Sequence, residues 1–220
     1  KLGQVQRSMA SVCLYIGLQD TAENLALPKT NFWIYPGADY RGQVENFLAA
    51  PDSHDIPLTY ISFPSAKDPS FAERYPGRAT IEIVAPGPFE WYQDWADKPW
   101  GKRGEDYEAK KEAYAQRLLE KLYEKMPHLR GKVDYYELST PLSTDYFCRY
   151  STGEIYGLDH TPERFEQDWL KPKTRLPGLY LTGQDIMTCG VVGAMIGGLL
   201  TTVAVSGLKG LPLAKKMFVG

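Results

Sequence analysis

Residues 178–207 read GLYLTGQDIMTCGVVGAMIGGLLTTVAVSG, and no other stretch of the chain limits its fold so tightly. Three apolar residues, Leu179, Tyr180 and Leu181, predict a short buried strand; Thr182-Gly183-Gln184-Asp185 predicts a turn, and the small-residue run beyond it a helix. A helix N-terminus beside a tight turn leaves backbone N–H groups unpaired, which favours an electronegative ligand atom. Gly190 and Gly193 allow close backbone approach there. Asp185 stands at the mouth of the turn, where a carboxylate could accept a hydrogen bond from a ligand hydroxyl. The same residues also suit a plain buried strand packed on a Gly-rich core helix, and spacing leaves both readings open. The uncharged run from Ile186 to Leu208 is 23 residues long, enough to cross a bilayer, and Gly193-x-x-x-Gly197 fits a small-residue helix contact. Its Thr188, Thr201, Thr202, Ser206 and glycines, directly after a strand, favour a buried helix instead.

A chain of 220 residues can bury a substantial core in one large or two smaller domains. Its 43% hydrophobic and 24% charged residues are ordinary globular usage and exclude disordered and fibrous classes. A formal net charge of -2 argues against a nucleic-acid footprint built on excess Lys and Arg. Cys13, Cys148 and Cys189 are odd in number and widely spaced, so neither a disulfide framework nor a zinc site is expected, and small buried hydrophobes are. No His/Cys/Asp cluster has metal spacing. The chain starts at Lys1 rather than Met, without the charged-then-apolar form of a signal peptide, and reads as a piece of a longer protein.

The apolar run Met9 to Leu18 predicts a buried strand, and Asn31–Tyr35, Leu58–Phe63, Ala79–Val84 and Val133–Leu138 predict four more. Several strands without long helices between them suggest an antiparallel or mixed sheet. Phe32, Trp33, Tyr35, Tyr60 and Phe63 make its faces aromatic, as plain core or as the wall of a pocket for a long hydrocarbon. Asp20–Asn24 reads as a polar turn, and Leu25–Pro28 as a turn of helix stopped by proline. Ser65 to Arg78, stiffened by Pro69 and Pro76, reads as an ordered loop. Phe89 to Trp100 carries five large aromatics and reads as a lid or as a membrane or partner surface. In Lys102–Met126, Tyr107, Tyr114, Leu118 and Leu122 share one face of a surface helix that Pro127 ends. Ser139–Asp159 reads as loop and short strand. Thr161 caps a helix with Pro162 at its first position, running to Trp169.

Beyond the Gly-rich stretch, SAKDPSFAERYPGRATIEI (Ser65 to Ile83), FEWYQDW (Phe89 to Trp95), KRGEDYEAKK (Lys102 to Lys111) and LDHTPERF (Leu158 to Phe165) make most of the chain resemble the C-terminal portion of the all-trans-retinol 13,14-reductase (retinol saturase) family. That family is related to the carotenoid isomerases and phytoene desaturases among the amine-oxidase-like flavoproteins. The resemblance implies an α/β fold, with a mixed-sheet, substrate-domain-like portion over 1–170 and a returning strand-turn-helix of the FAD domain over 171–220. It implies FAD as cofactor, a reduced nicotinamide, NAD(P)H, as electron donor, and an apolar retinoid or carotenoid polyene as substrate. A membrane-associated intracellular location, in endoplasmic reticulum or plastid, is implied with it. Carried over by position, Gly183 and Asp185 resemble the turn at the ribityl and pyrophosphate region. Gly190, Val191, Val192, Gly193 and Ala194 resemble the helix start under the flavin ring, where the helix dipole favours negative charge at the reduced ring. The reaction implied delivers a hydride to one carbon of a conjugated double bond and a proton to its neighbour.

Family members are considerably longer and carry an N-terminal Rossmann-type fingerprint. Here no two glycines are separated by one residue, so G-x-G-x-x-G is absent, and either the missing half of the FAD site comes from an N-terminal portion or a partner chain, or flavin is not bound. Tyr146, Tyr156 and His160 are weak candidates for the proton donor, each with a plain structural alternative; His54 and His128 read as structural. Two other classes stay open: a catalytically silent subunit acting as scaffold in a larger assembly, membrane-bound or not, and a pigment- or lipid-binding module without redox chemistry.

Overall fold

In the computed structural model, residues 3, 5–210, 212, 215 and 216 are described, the side chain of Leu208 excepted. They fall into two compact units, 10–153, and 1–9 together with 154–220.

The unit of 10–153 is built on five antiparallel strands: β1 (Ser11–Gln19), β2 (Phe32–Ile34), β3 (Thr59–Ser62), β4 (Arg78–Pro86) and β5 (Val133–Ser139), in the order β2-β3-β4-β1-β5. All five lie where the apolar runs predict them, because alternation along each strand sorts one set of side chains to a core. Val12, Leu14, Ile16 and Leu18 of β1 are buried with Ile61, Ile81, Ile83 and Leu138. The helices of this unit are α1 (Tyr40–Ala49), the single-turn α2 (Pro64–Lys67) and α3 (Phe71–Arg74), α4 (Glu105–Lys125) and α5 (Pro141–Cys148). Tyr107, Tyr114, Leu118 and Leu122 of α4 and Phe47 of α1 complete the core.

Several expectations need correction. Ser65 to Arg78 is not a loop: Pro64 starts α2, and α3 follows. Ser139–Asp159 holds α5, opened by a capping box in which the Thr140 N–H donates to Ser143 Oγ at 3.3 Å. Leu25–Pro28 makes hydrogen-bonded turns rather than helix. In the aromatic stretch Tyr92 is buried and Trp91 and Trp95 pack on the core, while Trp100 is exposed and stacks on Tyr146 at 5.4 Å; burial of that much ring area outweighs a lid role for most of it. His128 Nε2 lies 3.0 Å from the Leu25 carbonyl, a structural contact.

The second unit contains α6 (Pro162–Phe165) and α7 (Gly190–Ser206). Helix α6 is capped by Thr161 as the sequence indicates, but stops at Phe165. Leu179–Leu181 is not a strand. Its only ladder contact among the described residues is one bridge, Lys173 to Tyr180, since an apolar triplet becomes a strand only where a neighbouring strand accepts its hydrogen bonds. Helix α7 is not fully buried either: Val191 and Val192 are 78% and 69% exposed. No described helix is long and apolar enough to cross a membrane.

Candidate functional site

In the unit of 154–220 the chain leaves the Lys173 bridge with the Leu181 N–H donating to the Pro172 carbonyl at 2.8 Å, turns at Gly183, makes a single 3-10 turn over Gln184–Ile186 and enters α7 at Gly190. Gly183 (φ 92°) and Gly190 (φ 87°) adopt backbone that L side chains rarely tolerate. A Cβ at either would meet nothing within 4 Å, so open space lies beside both. Gly193 and Gly197 work differently. They bring α7 against the backbones of Thr188 and Gly183, and Thr201 Oγ1 donates to the Leu181 carbonyl at 2.7 Å. The Gly-x-x-x-Gly pair therefore seats the helix on its own preceding turn rather than on a second helix.

Arg164 holds this turn, and sequence reasoning missed it. The side chain is buried, with 2% of the residue exposed. Its Nη1 donates to the Leu158 carbonyl at 2.8 Å, and Nη2 reaches the carbonyls of Gln184, Asp185 and Met187 at 2.9, 3.0 and 3.2 Å. A planar fork of donors suits such convergence. Nη1 also lies 3.1 Å from His160 Nδ1, and the Cys189 N–H donates to His160 Nε2 at 2.8 Å. Gln184 ties both sides, its Oε1 accepting from the Gly190 N–H at 3.2 Å and its Nε2 donating to the Ile155 carbonyl at 2.9 Å. Asp185 Oδ1 accepts the Leu158 N–H at 2.9 Å.

The residues singled out by sequence thus separate. Gly183, Asp185, Gly190, Val191, Val192, Gly193 and Ala194 all lie on the turn and the first turns of α7, with His160 beside them. Val191 and Val192 are bare, Gly193 is buried and Ala194 is half-buried. Tyr156 is exposed in the same unit. Tyr146 belongs to the unit of 10–153, where its ring packs edge-on to Phe147 at 4.9 Å.

That unit has a surface of its own. Phe32 and Phe63 turn towards the core, whereas Trp33 and Tyr60 pair on the opposite face, ring centroids 4.7 Å apart. In register the row continues through Val84 and Cys13 to Ser139, across all five strands. Burial pushes the Cys13 thiol up to about 11, with a Tyr15 hydrogen bond and Glu82 as lesser influences.

The chain is 36% identical over 211 residues to all-trans-retinol 13,14-reductase of Macaca fascicularis and to that of Homo sapiens, a match covering 93% of the chain and 35% of each relative. A Danio rerio protein named inactive all-trans-retinol 13,14-reductase is 31% identical over 198 residues, covering 85% of the chain and 32% of that relative. The chain therefore spans about a third of the length of the curated relatives it matches. No protein-family profile matches it.

Proposed function

We propose, from the premise that this chain belongs to the all-trans-retinol 13,14-reductase family, that it forms the substrate-facing and ring-facing portion of an FAD-dependent oxidoreductase that saturates or isomerises a conjugated double bond of a retinoid or carotenoid-type polyene. Similarity across 93% of the chain to retinol reductases is the observation that carries the reading. The amine-oxidase-like FAD fold, NAD(P)H as electron donor and a membrane-associated location are parts of the same proposal.

The residues present fit one end of the cofactor. Open space beside Gly183 and Gly190, and the exposed start of α7, leave room for a flat group. Gly183 and Asp185 would meet the ribityl region, and Gly190, Val191, Val192, Gly193 and Ala194 the ring. The chemistry FAD supplies when bound is hydride delivery to one carbon of the conjugated bond. The chain's own part is to direct the N-terminal end of the α7 dipole at developing negative charge, to hold the turn rigid through Arg164, and to seat the polyene. Taken by itself, the unit of 10–153 carries in the row Trp33-Tyr60-Val84-Cys13 an apolar track across four strands, about 14 Å long at the ~4.8 Å strand spacing, whose length suits a rod-shaped hydrocarbon. Tyr146, Tyr156 and His160 are the candidates to bring the proton to the neighbouring carbon.

The test uses the natural full-length protein: flavin absorbance after purification, and conversion of all-trans-retinol to a dihydro product with a reduced nicotinamide. Trp33→Ala is expected to raise KM for retinol about tenfold with kcat nearly unchanged, as for a contact made equally in ground and transition states. A full-length protein without flavin and without conversion would sink the reading. That result would favour the second one, a catalytically silent scaffold in a larger assembly, which the likeness to a relative named inactive supports.

A further inference from the structure

We propose that the unit of 10–153 carries a separate binding site for a planar organic anion, an aromatic ring bearing a phosphate or a carboxylate, in the cleft between α4 and the aromatic turn that precedes it. The cleft measures about 320 Å³ and is lined by Asp52, Trp91, Tyr92, Lys110, Tyr114 and Arg117 among others, within the size range of small-molecule sites. Lys110, Tyr114 and Arg117 follow one another at spacings of four and three on α4, which puts them on one helix face.

Two observations give the cleft its ligand class. First, both of its cations lack a carboxylate partner among the described residues. Arg117 spends its guanidinium on the carbonyls of Pro51 and His54, at 2.7 and 2.6 Å, and lies 5.7 Å from the Tyr114 ring centroid. Those bonds fix the group in place without cancelling its charge. Lys110 Nζ makes no hydrogen bond or ion pair among the described residues and lies 5.5 Å from the Tyr92 ring centroid and 5.6 Å from that of Trp95. Asp52, exposed on the rim, is the one acid in the lining, so the lining is net positive.

Second, the cleft has aromatic walls: Trp91, Tyr92 and Tyr114 line it, with Tyr92 1% exposed and the Tyr114 hydroxyl donating to the Pro86 carbonyl at 2.7 Å. The ring of a ligand in the cleft would lie against Trp91, with its anionic group between Lys110 and Arg117. Cation and aromatic walls together select a flat anion over a simple ion or a neutral ring.

Equilibrium dialysis and calorimetry of the 220-residue chain with adenosine monophosphate and with 2-naphthoate test the proposal and separate the two anion sources; neutral adenosine is the control. Saturable binding of at least one anion, about fivefold or more tighter than adenosine, is expected. Lys110→Gln and Lys110→Glu change an exposed residue, so both variants should stay folded by circular dichroism; each is expected to weaken that binding at least about threefold. Binding of neither anion, equal binding of adenosine, or affinities unmoved in both variants would overturn the assignment. None of these outcomes depends on flavin or retinol.

Discussion

At Arg164 one guanidinium meets four carbonyl oxygens, those of Leu158, Gln184, Asp185 and Met187. Hydrogen bonds from a charged donor are worth about 1.5–3 kcal/mol each at most, and they share one side chain. Arg164→Met should therefore cost roughly 3 kcal/mol, because it leaves buried carbonyls unsatisfied. Arg164→Lys should recover less than half, since one ammonium cannot serve both the Leu158 side and the Gln184–Met187 side. Urea midpoints of the unit's unfolding check this, and an Arg164→Met midpoint equal to the parent's would refute the clamp. Cys13 gives a chemical reading at the same scale. With its thiol pushed up to about 11, its thiolate fraction at pH 8 is on the order of a hundredfold below that of an ordinary cysteine. The sign is plain: the raised pKa keeps the thiol neutral until the solution is strongly alkaline. Iodoacetamide at pH 8 should label exposed Cys148 and Cys189 while Cys13 lags by more than tenfold, as peptide mass spectrometry would record. Equal labelling of all three would contradict the burial argument.

On α7, adjacent glycines make opposite predictions. A Cβ at Gly197 would collide with the Gly183 backbone, whereas one at Gly198 would meet nothing within 4 Å. Alanine gains about 1 kcal/mol over glycine in a helix interior, so Gly198→Ala should stabilise by up to that amount. Gly197→Ala should destabilise by about 1–3 kcal/mol, because backbone pressed on backbone cannot yield as a side-chain tip can. Thermal unfolding of the two variants decides it, and a rise in midpoint for Gly197→Ala would disprove the close seating. The same helix marks what sequence could and could not say. Its small-residue run, the five strands and the Tyr107-Tyr114-Leu118-Leu122 face of α4 were legible because apolar periodicity records which side meets a core. Helices α1 and α5 were not. Α1 buries only Phe47 and α5 only Pro141 and Leu142, too few apolar positions to set a period, although Thr140-Pro141 and Asp39 were readable caps. The strand read at Leu179–Leu181 failed for the converse reason, its apolar character being real while its ladder partners are not among the described residues. Arg164 left no periodic signal at all. Nothing in HTPERF says that its arginine turns inward, since three of the four carbonyls it meets lie twenty to twenty-three residues further on.

For the chain as a whole, the question is how much cofactor affinity 220 residues can generate when they span about a third of their relatives' length. To the FAD site proposed above they would offer the start of α7, the open turn at Gly183 and the Asp185 carboxylate. Of those groups, the Cys189 and Gly190 N–H donors are already taken by His160 and Gln184, and Asp185 Oδ1 by Leu158. Pyrophosphate recognition in dinucleotide folds rests on a glycine turn and helix N-terminus of the kind G-x-G-x-x-G encodes, and that pattern does not occur in these residues. Whatever contacts remain must offset the rigid-body entropy of capturing the ligand, on the order of 4 kcal/mol or more. The expected outcome is that FAD titrated into the isolated chain shows no saturable change in flavin fluorescence at micromolar concentrations, and that saturation appears once a polypeptide supplying that pattern is added. Bare Val191, Val192 and Met195 on α7 should meanwhile make the isolated chain self-associate, which light scattering would detect. Tight FAD binding by a monomeric 220-residue chain would overturn the division of the site, and loss of that binding in Asp185→Ala would then locate it on this turn.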